Sequence, residues 1–464
     1  MSLEFDVVVI GGGLVGAALA RELAGTDASV ALVEARCDVG DGTSKANTAI
    51  LHTGFDAKPG TLESRLVARG YELLGDYAAR TGIPVERTGA LLVAWTDEEL
   101  AALPGLRDKA VANGYDACEI VDADEVYRRV PRLGPGALGG LTVPGESIMC
   151  TWTTTLALAT DAHRRGARIL LDRPVTAVRV EGESTILQTP REEVRARWVI
   201  NAAGLGADAV DGLFGYDRFT VTPRRGELLV YDKLSRPDVP LIVLPVPSAV
   251  GKGVLISPTI YGNVMLGPTS EDLGDKTATG TSEAGFAFLL DKGRRLMPSL
   301  IDEEVTASYA GLRAAIGQDD YLIEVDAAQR YVLVGGIRST GLTASMSIAE
   351  HVRDLLSQSG FAPPERDTLP PPPLMPNLGE AFARPYQDGD AISADPAYGT
   401  IVCFCERVTA GEIRDAFASD LPPADLDGLR RRTRVMNGRC QGFYCGADVR
   451  ARFEAQRSTG GDLS

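Results

Sequence analysis

FDVVVIGGGLVGAALARELAGTDASVALVE, residues 5–34, is the stretch from which the fold is read. Phe5–Ile10 is a continuous apolar, β-branched run, as a strand buried on both faces of a parallel sheet requires. Glycines at 11, 13 and 16 follow directly, and AALARELA continues as a helix. Gly11 permits a tight turn, Gly13 lets the backbone approach a pyrophosphate, and Gly16 lets helix and strand pack closely. The helix N-terminus then faces the phosphates. SVALVE forms a second strand that ends at Glu34, 18 residues past Gly16. A carboxylate there suits a ribose 2′-hydroxyl and repels a 2′-phosphate. The glycine spacing alone is a weak signal. Strand before, helix after and acid at that offset make it a dinucleotide-binding βαβ unit.

Two later segments repeat the strand-to-helix pattern: ARWVINAAGLGADAV (196–210) and YVLVGGIRSTGLTASMSIAEHVRDLL (331–356). With the first two strands they are expected to build one parallel sheet from distant parts of the chain. Between them, RGELLVYD, GVLISPT and GNVMLGPT alternate as antiparallel strands do. A short strand, GALLVAW, lies among helical patterns in 86–145. This second set reads as a domain inserted into the dinucleotide fold.

The chain has 464 residues, 44% hydrophobic and 24% charged, which is globular composition spread over several domains. Its net charge of −16 excludes the basic footprint of a nucleic-acid binder and an electrostatic hold on anionic lipid. No run approaches the roughly 18 apolar residues of a membrane span. The first residues, MSLEFDVVVI, carry no basic n-region or cleavage site, so a cytoplasmic location is expected.

Four of the seven cysteines, Cys403, Cys405, Cys440 and Cys445, fall in the last 62 residues. They form two close pairs, CxC and Cx4C, separated by 34 residues. In a cytosolic chain such clustering points to metal or redox chemistry before disulfides. Four thiolates at one site suit a [2Fe–2S] cluster; a structural zinc site and a vestigial domain are the alternatives. Residues 399–464 hold ten Arg and no Lys against nine acidic residues, so the module is close to neutral and the body strongly acidic. The run Arg430-Arg431-Arg432 with Arg434 has an electrostatic reason to lie near an anionic cluster. FAPPERDTLPPPPLMPNLG, within 361–398, reads as an extended, semi-rigid linker ahead of this module.

TSKANTAILHTGFDAKPGTLESRLVARG (43–70), LPVPSAVGKGVLISPTIYGNVMLGPTSED (244–272), SYAGLRAAIGQDDYLIE (308–324) and GGIRSTGLTASMSIAEHV (335–352) together resemble the D-amino-acid-oxidase-like FAD superfamily. Within it the resemblance is to FAD-dependent glycerol-3-phosphate dehydrogenases and oxidases, with L-2-hydroxyglutarate dehydrogenases next. IVCFCERVTAGEIRDAF…TRVMNGRCQGFYC resembles the bacterioferritin-associated-ferredoxin-like [2Fe–2S] domain, with all four ligand positions filled. The fold so implied is α/β: a Rossmann-like FAD-binding domain (1–85, 146–220 and 326–360) with an interleaved α+β substrate domain (86–145 and 221–325). The linker (361–398) and a small helical iron–sulfur domain (399–464) follow.

The resemblance also implies roles. Among three histidines, only His52 lies in the flavin-contacting segment, where its counterpart takes the substrate's hydroxyl proton. The chemistry needs such a base, because hydride leaves carbon for the flavin as the alcohol loses its proton. His163 and His351 sit in helical patterns and read as solvated. Lys252 and Arg313 match positions that bind the anionic end of glycerol 3-phosphate. A buried phosphate needs charge-assisted donors, and Arg offers a planar fork. Arg338 adds a cation near the flavin that would meet either its carbonyl edge or a second anionic group. It keeps 2-hydroxyglutarate or a larger polyol phosphate open as substrate. Flavin contacts are implied for Thr43, Ser44, Lys45, Val175, Ala203, Gly204, Gly336, Gly341, Leu342 and Thr343. The helix starting near Thr343 would aim its positive end at the flavin pyrimidine.

The expected function is FAD-dependent oxidation of an anionic secondary alcohol. Electrons leave through the cluster to a quinone or an acceptor protein. Two further expectations stay open: a partner subunit, and through it peripheral attachment at the inner membrane face. The competing readings are an L-2-hydroxyglutarate dehydrogenase, a C–N dehydrogenase of an amino acid or opine, and a non-catalytic electron-transfer adaptor.

Overall fold

The structure is a computed structural model that describes residues 3–247 and 253–459. Its first sheet is the one the opening motif demands. Leu3–Ile10 lies parallel to Val30–Val33 on one side and to Glu193–Asn201 on the other. Tyr331–Gly335 joins Glu193–Asn201 in parallel, and Arg168–Leu170 extends the far edge beyond Val30–Val33. The sequence pattern does not disclose this fifth parallel strand, because ARIL is too short to show a period. Val7, Val8, Val9, Ala31 and Leu32 have no exposed surface, which is why these strands read as unbroken apolar runs.

Helices close the sheet. Leu14–Leu23 packs against Gly341–Gln358, which in turn packs on Leu62–Thr81. The last two approach closely because residue 70 is glycine: a Cβ there would stand 2.3 Å from the Thr343 carbonyl oxygen. Leu62–Thr81 is capped by Thr61, whose hydroxyl accepts the Ser64 N–H, and its first N–H groups also reach Asp320.

The second sheet is mainly antiparallel. Its longest pair is Thr222–Tyr231 against Val305–Ala315, in register over nearly their whole length. Ala90–Ala94, the strand expected in GALLVAW, pairs antiparallel with Gly139–Val143 and parallel with Ile242–Pro245. That last pairing carries the first inserted segment into the sheet of the second.

The proline run at 370–373 has no regular structure, but the chain around it is tied down. Met375 N–H bonds the Thr81 carbonyl and Glu380 N–H that of Ile260. Arg384 is 1% exposed and pairs with Glu412, 3.0 Å away. Short helical turns then lead to the C-terminal module: a two-stranded ribbon (Ile401–Cys403, Val408–Thr409) and the helices Ala410–Phe417, Leu426–Thr433 and Gly446–Thr459. Val402, Ile413, Leu429 and Val449 form its own core. Among the described residues, no helix is long and apolar enough to cross a membrane.

The arginine run has a use that its sequence does not disclose. Arg431 and Arg432 are buried, and both reach Asp38 of the first sheet's loop at 2.7 Å. Arg434 is buried beside Glu406, and its guanidinium lies 4.0 Å over the Tyr261 ring. Tyr261 stacks on Trp152, whose indole N–H bonds the Lys45 carbonyl. Arg431, Arg432 and Arg434 thus reach the body across the module boundary, while Arg430 pairs with Asp427 within the module.

Candidate active site

The C-terminal ends of the parallel strands open into a cleft of about 570 Å³. Such a position, outside the carboxyl ends of an α/β sheet, is where ligands of this architecture bind. Gly11, Gly13, Glu34, Thr43, Ser44, Val175, Ala203 and Gly204 line it. So do His52, Arg313, Gly336, Arg338, Gly341 and Leu342. Gly16, Lys45 and Thr343 stand behind the wall. Lys45 Nζ pairs with Asp41 at 2.8 Å, and the buried Thr343 hydroxyl accepts the His52 backbone N–H at 2.9 Å. Lys252 lies outside the described residues.

The glycine turn is built as a cradle. Gly11 has φ +110°, and a Cβ there would stand 2.4 Å from the Ala202 carbonyl oxygen. A Cβ at Gly16 would fall 1.8 Å from the Gly11 carbonyl, so helix and strand could not close. The Ser44 hydroxyl accepts the Leu14 N–H, leaving other N–H groups of the first helical turn for an anion. Glu34 accepts from the Gly12 and Arg36 N–H groups, and burial raises its carboxyl above the usual range. These residues fit an FAD: glycines for the pyrophosphate, an acid for the ribose and a strand-end cleft for the ring.

His52 is held on two sides. Besides the Thr343 contact, its Nδ1 lies 2.9 Å from Oε2 of Glu146. Glu146 is 1% exposed, and its other oxygen accepts from the Thr53 N–H and hydroxyl at 2.7 and 2.9 Å. Sequence reasoning does not reach Glu146. It sits in PGESIMC, 94 positions away from His52, and no local pattern links the two.

Arg313 projects from Val305–Ala315 into the cleft. Its Nη2 donates to the Thr269 carbonyl at 2.8 Å, and it makes no ion pair among the described residues. Burial, together with nearby Arg224, lowers its pKa from the ordinary value. Asp272 acts on it only at a distance and is itself paired with Arg224. A half-buried guanidinium with no ion pair of its own among the described residues suits an anionic ligand. Arg338 is different: Asp319 lies 3.1 Å away and Glu63 3.6 Å away, so protein acids already balance it. His163 is exposed as expected, while His351 is half-buried and lowered chiefly by that burial.

In the module, Cys403 and Cys445 are buried and Cys405 and Cys440 partly so. Cys405 adjoins Cys440, and Cys403 adjoins Cys445. The Cys440 thiol is pulled below its ordinary value, first by the Tyr444 N–H and then, against burial, by neighbours including the Gly442 and Phe443 N–H groups. Gln441 and Gly442 take positive φ, 47° and 83°, which turns that loop around the sulfur. N–H groups aimed at a cysteine sulfur are what an anionic iron–sulfur cluster uses. Phe404, Phe443 and Tyr444, in the same loops, are 61%, 96% and 72% exposed.

A strand-end cleft with a dinucleotide turn, a histidine and an arginine without an ion pair among the described residues marks a dinucleotide-binding protein with an anion site. The sequence comparisons give the family. Residues 6–355 match the model described as FAD dependent oxidoreductase, and the chain belongs to that family. Residues 401–455 match the BFD-like [2Fe-2S] binding domain, so the cofactors are FAD and a [2Fe–2S] cluster. A glycerol 3-phosphate dehydrogenase of Caloramator mitchellensis is 34% identical over 96% of this chain and 93% of its own length. One subunit of the anaerobic glycerol-3-phosphate dehydrogenase of Escherichia coli strain K12 is 28% identical over 96% of this chain and 87% of its own. The structure of the FAD-bound L-alpha-glycerophosphate oxidase of Mycoplasma pneumoniae aligns with a TM-score of 0.76 at 29% identity. That alignment spans 81% of this chain and all of the other.

Proposed function

We propose that the protein oxidises the secondary hydroxyl of glycerol 3-phosphate and passes the electrons through its [2Fe–2S] cluster to a quinone or an acceptor protein. The observation that carries this reading is the placement on one cleft, with the dinucleotide turn, of His52 and of Arg313, which makes no ion pair among the described residues. FAD, when bound, supplies the hydride acceptor. Arg313 holds the phosphate, and Lys252 is assigned the same task on sequence grounds. His52 takes the hydroxyl proton as the carbonyl forms. The two relatives described above, each covering 96% of this chain, carry glycerol 3-phosphate in their names.

Arg338 argues against a dicarboxylate substrate, since Asp319 and Glu63 already neutralise it. A cluster conducts single electrons, which suits a quinone or protein acceptor. The Escherichia coli relative is named as one subunit of its enzyme. That favours a partner protein here, and through it a peripheral attachment to the membrane. The exposed aromatics of the cysteine loops form the face such a partner would meet.

The test is an anaerobic visible titration of the purified protein with glycerol 3-phosphate, then with L-2-hydroxyglutarate. Bleaching of the flavin bands by the first, with loss of the broad iron–sulfur absorbance, is the expected result. Bleaching by the second alone would transfer the assignment to the 2-hydroxy acid. Bleaching by neither, in protein holding both cofactors, would remove the alcohol reading.

A further inference from the structure

We propose that Glu146 is a positioning residue: it fixes the tautomer of His52 and stabilises the imidazolium formed when His52 accepts the substrate's proton. The inference rests on the reading of His52 as the base. An ionised carboxylate only accepts hydrogen bonds, so the 2.9 Å contact places a hydrogen on Nδ1 and leaves the Nε2 lone pair free. Because His52 lines the cleft, Nε2 is the nitrogen available to substrate.

Glu146 makes no ion pair with an arginine or lysine among the described residues; it pairs with the ring of His52. Thr53 clamps its second oxygen twice, so the carboxylate cannot rotate away. A buried carboxylate balanced only by hydrogen bonds has most to gain when the imidazole beside it becomes charged. In the reaction the substrate O–H bond breaks and its proton passes to Nε2. The freed electron pair forms the carbonyl as the C–H hydride leaves for FAD, which is reduced. The positive charge on His52 then lies against the Glu146 negative charge.

The other titratable groups around Glu146 are Tyr71, Tyr115 and Cys118, with Arg87 near Tyr71. Burial pushes Tyr115 up to about 12 and Cys118 up to about 11, and raises Tyr71 as well. All three stay neutral near pH 7.

The experiment uses the full-length holoenzyme with Glu146→Gln and Glu146→Asp. Three histidines make ¹⁵N labelling of imidazoles tractable, and the parent's Nδ1-H form should be read directly. In Glu146→Gln, with unchanged flavin and iron–sulfur spectra, the His52 titration should fall by about one pH unit or more. The acidic limb of the pH profile for anaerobic flavin reduction by glycerol 3-phosphate should move with it, and the plateau rate should fall roughly 10²- to 10⁴-fold. Glu146→Asp should recover about tenfold or more of that rate. An unmoved His52 titration and pH limb in Glu146→Gln overturn the proposal, whatever happens to the rate. If the titration moves but His52→Ala still reduces flavin normally, the base reading fails and Glu146 merely anchors a histidine.

Discussion

Asp38 and Arg432 meet in a two-point pair, Nη1 to Oδ2 at 2.7 Å and Nη2 to Oδ1 at 2.9 Å, although 394 positions separate them. Both are buried, and Arg431 shares the same carboxylate. This aspartate thus ties the iron–sulfur module to the loop after Val30–Val33. Removing one partner of a buried pair leaves the other charge uncompensated, at a cost of about 3–5 kcal/mol. Asp38→Asn should release the module as an earlier thermal transition and open the 361–398 segment to protease. An unchanged melting profile and digestion pattern would show that the pair holds nothing together.

Acid should weaken the same junction. Asp41 bonds Lys45 and Arg431, and although burial alone would raise its carboxyl, these cations and Arg36 hold it below the ordinary value of 3.8. A depressed carboxyl contributes stability that is complete above the unfolded value and lost as pH falls through the folded one. Docking should therefore be constant above about pH 5 and decline below it. Protease sensitivity of 361–398 across roughly pH 2.5–6, in parent and Arg431→Met, checks this. The variant should show a flatter response.

Arg313 should govern substrate affinity more than chemistry. Replacing it by Met removes a charge-assisted contact to phosphate, at about 1.5–3 kcal/mol. The apparent affinity for glycerol 3-phosphate in flavin-bleaching titrations should fall roughly 10- to 150-fold. FAD content should be unaffected. Unaltered affinity would move the phosphate site elsewhere in the cleft.

The two cofactors should be separable. Cys445→Ala removes a buried thiol of the module and should reduce iron and acid-labile sulfide from about two per chain to near none. FAD should remain and should still bleach with substrate, since its cradle lies in residues the change does not touch. Zinc in the parent protein in place of iron would refute the cluster.

The readability of this molecule from sequence follows the range of the interactions. Phe5–Ile10 and the glycines after it declare themselves because strand, turn and helix are contiguous and each has its own period. Arg168–Leu170, three residues long, carries no period and is absent from the expected sheet. His52 and Arg313 are accessible through their segments. Glu146 and Asp38 are not, because their meaning depends on partners 94 and 394 positions away. The arginine run illustrates the same limit. Its charge is plain, but its neutralisation by Asp38, Asp41, Glu406 and neighbours is a property of the folded chain alone.

The interleaving of the parallel sheet has a consequence in time. Leu3–Ile10 needs Glu193–Asn201 as its neighbour, and that strand needs Tyr331–Gly335. At about 5–20 residues per second, roughly 15–65 s of synthesis separate the first of these strands from the last. Throughout that interval an apolar strand waits on the ribosome with an unpaired edge. The newborn chain should be a chaperone client until the segment ending at Gly335 emerges and closes the edge of Glu193–Asn201.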